Sequence, residues 1–163
     1  PQRPFLFSCS IADNIVLGNP DESRLLKTVQ LASLEQDLPA LPDGLSTVVG
    51  ERGIMLSGGQ RQRVALARGL YNPGRLFLLD DVLSAVDHEN ESRLVATLAK
   101  LETNQDAIRP TVVIVSNRVS AFRNADNIIV LDDGELVAQG SHAELVQRPG
   151  IYQDAYFKQR EDA

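Results

Sequence analysis

Three short apolar runs alternate with stretches of helical periodicity in the second half of the chain. They lie near Asp, Asn or Gly, at residues 76–79, 111–115 and 127–131. Continuous apolar runs of this length are typical of strands in a parallel sheet whose two faces are covered by helices. After the third run, residues 132–134 predict a hairpin turn and residues 135–138 an antiparallel return strand. The pattern indicates an α/β domain with a largely parallel, buried sheet.

Helical patterns fill the intervals between and after these strands. A helix that begins at Asp87 or His88 would place four apolar residues on one face. They are Leu94, Val95, Leu98 and Leu101. Ser141 and Glu144 have the spacing of a capping box, which predicts the start of another helix, and a last helix is expected from Ile151.

The region from about residue 10 to residue 72 differs, because no strand alternates with its helices. One helix is expected at about residues 21–34, followed by a loop rich in Pro and Gly and a second helix over residues 60–71. These helices are therefore interpreted as a helical subdomain inserted in the α/β core.

A turn with two adjacent glycines precedes the second of these helices. Residues 56–63 read Leu-Ser-Gly-Gly-Gln-Arg-Gln-Arg, so Ser57, Gly58 and Gly59 lie at a helix N-terminus. Unpaired N–H groups and the positive end of the helix dipole attract an anion there, such as a phosphate oxygen. A Ser-capped surface helix after a flexible loop is the alternative, and Ser-Gly-Gly alone would favour it.

Two carboxylates follow the first apolar run. Asp80 and Asp81 stand at the carboxyl end of a predicted strand, where open α/β sheets bind ligands. One acid there can hold Mg²⁺ through its water shell, and a second can orient or deprotonate an attacking water. A helix-capping pair at a strand exit is the alternative.

Composition narrows the possible functions. The chain has 163 residues, 43% of them hydrophobic, which suits one globular domain. A net charge of -6 argues against nucleic acid as a partner, and Arg61, Arg63 and Arg68 are expected to form a solvated helix face. Cys9 is the only cysteine, so an internal disulfide is excluded. No apolar run approaches the roughly 20 residues that span a bilayer.

Together these motifs resemble the nucleotide-binding domain of ATP-binding cassette (ABC) transporters. By that resemblance residues 56–60 are the signature motif, 76–80 the Walker B strand and 84–87 the D-loop. The implied fold is α/β, a P-loop NTPase-like (RecA-like) parallel sheet core with an inserted helical subdomain that carries the signature motif. The family's phosphate loop, Gly-x-x-x-x-Gly-Lys-Ser/Thr, is not in the sequence, so the core is expected to be truncated at its N-terminus.

The resemblance divides the chain into three parts. Residues 1–9 hold the Q-loop and the entry to the helical subdomain, residues 10–72 form the helical subdomain, and residues 73–163 form the C-terminal part of the α/β ATPase core. A Gly-bounded connector over residues 47–53 is similar to the loop by which exporters of this superfamily touch the membrane domain.

The resemblance also implies roles for ten residues. Two such domains would close head to tail around two ATP molecules, each held by the Walker motifs of one domain and the signature of the other. The nucleotide of the partner would be bound by Ser57, Gly58, Gly59 and Gln60. Mg²⁺ would be bound by Gln2 and Asp80. The catalytic carboxylate and switch positions are Asp81 and Asn117. Asp87 would communicate across the dimer, and Glu51 would couple to the transmembrane domains.

Two of these positions depart from the family norm. Position 81 is Glu in the family, and Asp is one methylene shorter, so its carboxylate would lie about 1.5 Å back from the attacking water. Position 117 is His in the family, and Asn cannot carry a positive charge or move a proton. Both departures fall in the same half-site. They predict that the nucleotide bound to this domain is hydrolysed slowly or not at all.

The sequence therefore predicts part of a heteromeric exporter, or of one with two unlike cassettes on one chain, at the cytoplasmic face of a membrane. The full protein would be an ATPase, whereas the isolated chain would bind ATP poorly and be inactive. Two alternatives remain open: a non-hydrolytic, ATP-gated regulatory clamp, and a soluble ABC-type ATPase of repair or translation. About six membrane spans elsewhere in the parent protein or its partner would separate the exporter from the soluble ATPase.

Overall fold

The structure is a computed structural model that describes residues 4–50, 53–81, 88–98 and 110–161. The chain divides into two compact units, Pro1–Val115 and Ser116–Ala163. The domain boundaries predicted from the motifs at residues 9 and 72 follow a different criterion and stay a prediction.

The first unit contains four α-helices and two strands in its described part. They are α1 (Ile11–Val16), α2 (Glu22–Leu31), α3 (Gly58–Tyr71), β1 (Leu76–Asp80), α4 (His88–Leu98) and β2 (Thr111–Val115). The second unit contains β3 (Ile128–Asp132), β4 (Glu135–Gly140), α5 (His142–Gln147) and α6 (Ile151–Glu161). No helix in the described ranges has the length and apolar character needed to cross a membrane.

Strands β1 and β2 pair in parallel, as the apolar runs predict. Leu76 lies opposite Thr111 at one end of the ladder, and Asp80 lies opposite Val115 at the other. Phe77 packs against α3 at Gly69, where a Cβ atom would stand only 2.9 Å from the Phe77 ring. A side chain at position 69 would therefore push β1 away from the helix.

The prediction that the sheet is buried on both faces is wrong for the described residues. Phe77 and Leu79 are buried, but Leu76 is 55% and Leu78 67% exposed. Successive side chains of a strand point to opposite faces, so a helix packed on one face covers only alternate residues. The apolar run signals two covered faces, and the described chain covers one of them.

Helices α1, α2 and α3 form the core of the helical region. Ile11, Ile15 and Val64 are fully buried there. The sequence pattern does not predict α1, because six residues are too few to establish a helical period. Helix α2 begins after its cap Asp21, as expected, but ends at Leu31 rather than near residue 34. The chain turns at Ser33, whose φ of 55° lies in the left-handed region.

The second unit contains its predicted elements, but among the described residues β3 pairs only with β4 and does not join the parallel sheet that the three apolar runs predict. Strands β3 and β4 are antiparallel, and the turn between them places Asp133 and Gly134 at positive φ, as a tight hairpin of this hand requires. Helix α5 starts with the predicted capping box, in which Ser141 N–H donates to Glu144 Oε2 at 2.8 Å. Strand β4 runs to Gly140, two residues beyond the prediction. The core of the unit is Val119, Ile128, Leu145 and Tyr152.

Candidate nucleotide-binding site

The glycine turn forms the N-terminus of α3, as predicted. Ser57 is the cap: its Oγ accepts the N–H of Gln60 at 3.2 Å, and its own N–H donates to Gln60 Oε1 at 2.9 Å. This reciprocal pair fixes the turn and leaves the Ser57 O–H free to donate. The N–H groups of Gly58 and Gly59 have no intrahelical acceptor, because the first turn of a helix offers none.

The described part of the chain does not itself require glycine at the two turn positions. Neither Gly58 nor Gly59 has a positive φ. A Cβ at Gly58 would meet nothing within 4 Å, and one at Gly59 would approach only the Arg63 guanidinium, at 3.4 Å. Without side chains at these positions, another molecule can approach the backbone closely at this point.

An ion pair anchors the start of α3 to the loop after α2. Arg63 Nε donates to Asp37 Oδ2 at 2.7 Å and Arg63 Nη2 to Asp37 Oδ1 at 2.8 Å. Only 15% of the Arg63 side chain and 12% of the Asp37 side chain are exposed. The expectation of a solvated arginine face is therefore wrong for Arg63. Sequence reasoning missed Asp37, because no local pattern joins residues 26 positions apart.

The two carboxylates lie at the carboxyl end of β1, as predicted, and both residues are exposed. Asp80 is the last residue of the strand, and the N–H of Asp81 donates to the carbonyl of Val115 at 2.9 Å. Asp81 has a φ of 50°, in the left-handed region that Asp tolerates better than most residues. Its backbone is thus held by β2 at an exposed position.

The donor chemistry at this edge suits Mg²⁺ held together with a nucleotide. Within the described ranges no cluster of three or more His, Cys, Asp or Glu side chains could hold a metal ion. Mg²⁺ does not need such a cluster, since it is usually bound by one or two carboxylates, phosphate oxygens and waters. The exposed carboxylate of Asp80 provides one such ligand.

Asn117 lies in the second unit, at an exposed position two residues after the end of β2. Its backbone is held by α6: Gln159 Nε2 donates to the carbonyl of Asn117 at 2.7 Å, and Gln159 Oε1 accepts the N–H of Val119 at 2.9 Å. One side-chain amide therefore bridges the two ends of this loop. Sequence reasoning missed Gln159, which belongs to no motif in the chain.

Three of the predicted site residues, Gln2, Glu51 and Asp87, lie outside the described residues. The segment that follows Gln2 is described from Pro4 onward. Arg68 of α3 donates to the carbonyls of Phe5 at 2.9 Å and Asn14 at 2.7 Å, and to Asn14 Oδ1 at 2.9 Å. Asn14 is fully buried and bonds both backbone groups of Phe7. Arg68 thus joins this segment to the helix that begins at Ser57. The expectation of a solvated arginine face is therefore wrong for Arg68 as well as for Arg63.

Arg68→Lys is expected to destabilise the domain although the charge is kept. Burial lowers the pKa of the Arg68 guanidinium from its ordinary value, so the group depends on its hydrogen bonds. A lysine ammonium cannot reproduce the planar fork that meets three oxygens. We expect a loss of about 2 kcal/mol in the free energy of unfolding of the full-length protein, measured by chemical denaturation.

The matched control for Arg68 is Arg61→Lys. Arg61 is on the same helix, and its side chain makes no hydrogen bond to the described residues. Its replacement should change the free energy of unfolding by less than about 0.5 kcal/mol. Equal effects of the two substitutions would contradict the anchoring role of Arg68.

Comparison with known proteins decides what the turn and the carboxylates belong to. A sequence model of the family described as ABC transporter matches residues 1–84. The chain belongs to the ABC transporter family. The match includes the glycine turn, Asp80 and Asp81, so the resemblance stated from the motifs is confirmed.

Relatives of this ABC transporter chain are several times longer than it. The Multidrug resistance-like ATP-binding protein MdlA of Escherichia coli is 41% identical over 164 residues, which cover 99% of this chain and 27% of that protein. The ATP-dependent lipid A-core flippase of Saccharophagus degradans is 38% identical over 97% of this chain and 26% of its own length. The chain therefore spans about a quarter of the length of these curated relatives.

A solved structure of the same family confirms the fold class. A bacterial Atm1-family ABC exporter with ATP bound matches this ABC transporter chain with a TM-score of 0.78 and 34% identity, over 98% of this chain and 28% of that one. The parallel pairing of β1 and β2 agrees with the predicted P-loop NTPase-like α/β fold. The finer assignments of individual site residues stay predictions.

Proposed function

We propose that the chain is part of the nucleotide-binding domain of an ATP-driven ABC exporter, at the cytoplasmic face of a membrane. It would act in a head-to-tail pair with a second nucleotide-binding domain and be coupled to transmembrane domains. The observation that carries the proposal is the turn at Ser57, whose two glycines leave backbone N–H groups accessible although nothing described in the chain requires glycine there.

The turn is suited to finishing an ATP site on the partner domain. Its Ser57 O–H and Gly59 N–H would donate to the γ-phosphate of ATP bound by the partner. Fixed donors that meet charge developing in a transition state are worth about 3 kcal/mol each. Gln60 is engaged with Ser57 on both its backbone and its side chain, so its task would be to hold these donors in place.

The half-site on this chain's own Walker strand would bind ATP and hydrolyse it poorly. Asp80, with Gln2, would hold Mg²⁺, which neutralises phosphate charge when it is bound. The Asp81 carboxylate would stop about 1.5 Å short of the position that a Glu reaches, because it has one methylene fewer. The side-chain N–H of Asn117 would donate a hydrogen bond to the γ-phosphate, but the amide cannot carry a proton away.

The two half-sites of the complete transporter would therefore differ. The competent site would use this chain's Ser57 and Gly59, and the impaired site would use its Asp81 and Asn117. Such asymmetry requires two unlike cassettes, either on separate chains or on one. Asp87 would relay the state of one site to the other, and Glu51 would transmit closure to the membrane domain.

In the reconstituted transporter, ATP in this chain's own half-site is expected to stay uncleaved while the other site turns over. The physical reason is that the Asp81 carboxylate would be too short to reach the attacking water and that the Asn117 amide cannot carry a proton. The measurement is to incubate the transporter with radiolabelled ATP, remove free nucleotide during turnover and separate the retained ATP from ADP. We expect one intact ATP per pair of cassettes.

The other outcomes of this measurement separate the competing functions. Retention of ADP alone would contradict the impaired half-site. Retention of intact ATP at both sites, with no turnover, would favour a regulatory clamp over a pump.

A further inference from the structure

Asp37 makes contacts that the ATP chemistry described above does not use. Its carboxylate receives two hydrogen bonds from the Arg63 guanidinium, and its Oδ1 also lies 3.5 Å from Gln60 Nε2. Gln60 in turn exchanges two hydrogen bonds with Ser57. A continuous chain of polar contacts thus runs from Asp37 to the cap residue of α3.

Arg63 is held where an unpaired cation would be unfavourable. Its Nη1 lies 3.4 Å from the position of a Cβ on Gly59, so the guanidinium reaches back over the first turn of α3. The N-terminus of a helix carries partial positive charge and repels cations. The Asp37 carboxylate offsets that repulsion, and the bidentate geometry fixes the plane of the guanidinium.

We propose that Asp37 is a positioning residue of the signature turn, which sets the place of the Ser57 hydroxyl and the Gly59 N–H through Gln60 and Arg63. Without Asp37, the guanidinium loses the bidentate partner that fixes its plane, and the Gln60 carboxamide loses one of its two contacts. The donors at Ser57 and Gly59 then lose their fixed position relative to an approaching phosphate. This inference rests on the proposed function, in which those donors complete the ATP site of the partner.

The test uses the complete transporter with its partner cassette, reconstituted in lipid. Asp37→Ala is expected to lower kcat about tenfold, since a shift of the donors by a fraction of an ångström is costly in the transition state. Asp37→Asn keeps the shape and weakens the ion pair, so its kcat should fall between those of Asp37→Ala and the unaltered protein. Equilibrium binding of ATP without Mg²⁺ should stay within about twofold, because the signature turn engages only on closure.

A double-substitution cycle distinguishes positioning from a general structural role. Because Asp37 acts in part through Arg63, Asp37→Ala combined with Arg63→Ala should lower kcat by less than the product of the two single losses. The matched control is Asp43→Ala, in the same loop, because the Asp43 side chain does not cap the short 3-10 helix Gly44–Ser46 that follows it. It should leave kcat unchanged.

Three results would overturn the inference: a kcat for Asp37→Ala equal to that of the Asp43→Ala control, additive losses in the double variant, or a loss of Mg²⁺-free ATP binding that parallels the loss of kcat. Should Asp37→Ala not fold, the isosteric Asp37→Asn gives the same comparison. Gly59→Asp in the same series distinguishes a failure of the role of Asp37 from a failure of the proposed function. If Gly59→Asp is inactive and Asp37→Ala is not impaired, only the role of Asp37 fails. If Gly59→Asp is fully active, the proposed function fails.

Discussion

Gly59→Asp is expected to abolish ATP turnover by the complete transporter. A side chain at position 59 would point at the Arg63 guanidinium, 3.4 Å from its Cβ, so an Asp carboxylate can pair with Arg63 without disturbing the fold. That carboxylate would occupy the place where the γ-phosphate has to approach. The backbone N–H of residue 59 remains, but the phosphate can no longer reach it; a donor that no longer meets the transition state costs a factor of about 100 to 1,000 in rate, and charge repulsion adds to this loss.

The measurement is the steady-state ATPase rate of the purified complex in lipid, with thermal unfolding measured alongside to show that the variant is folded. Asp81→Asn is the comparison, because position 81 belongs to the half-site that we expect to contribute little turnover. It should change the rate by less than about twofold. The opposite ranking of the two variants would rule out the proposed asymmetry.

Replacing Asp81 by Glu and Asn117 by His is expected to give this chain's own half-site hydrolytic activity. The longer carboxylate reaches the attacking water, and the imidazole provides the proton carrier that an amide lacks. Glu is less suited than Asp to the φ of 50° at position 81, so a cost of about 1 kcal/mol in stability accompanies the gain. We expect turnover at this site to rise about 100-fold.

The gain in ATP hydrolysis is best measured in a variant whose other ATP site is inactive. Gly59→Asp provides it, because that substitution blocks only the site completed by this chain's signature turn. Turnover of the triple variant is compared with that of Gly59→Asp alone, and each single replacement at positions 81 and 117 should give a smaller rise. An unchanged rate in the triple variant would mean that other residues impair the half-site.

The parts of the fold that could be predicted are those encoded by neighbouring residues. The capping boxes at Ser57 and Ser141 each join residues three positions apart, and both are present as predicted. The parallel strands follow from apolar runs of the right length. The turn at Asp133 follows from the residues that a tight hairpin demands.

The parts that could not be predicted depend on residues far apart in the sequence. Asp37 meets Arg63 across 26 positions, and Gln159 meets Asn117 across 42. Arg68 donates a hydrogen bond to Asn14, 54 positions away, so a residue expected on a solvated helix face anchors the helix instead. Helix composition alone gives no sign of such partners. The positions of the glycine turn and of the two carboxylates could therefore be predicted from neighbouring residues, whereas the residues that hold them in place could not.

The side-chain amide of Gln159 ties the loop at Asn117 to α6, so the loop and the helix are expected to move together. It grips one backbone carbonyl and one backbone N–H within three residues, so the loop cannot shift along α6 without breaking both bonds. Lys158, the residue before Gln159 in α6, is exposed. A fluorophore attached there would report displacement of the loop while Asn117 and Gln159 themselves stay unaltered.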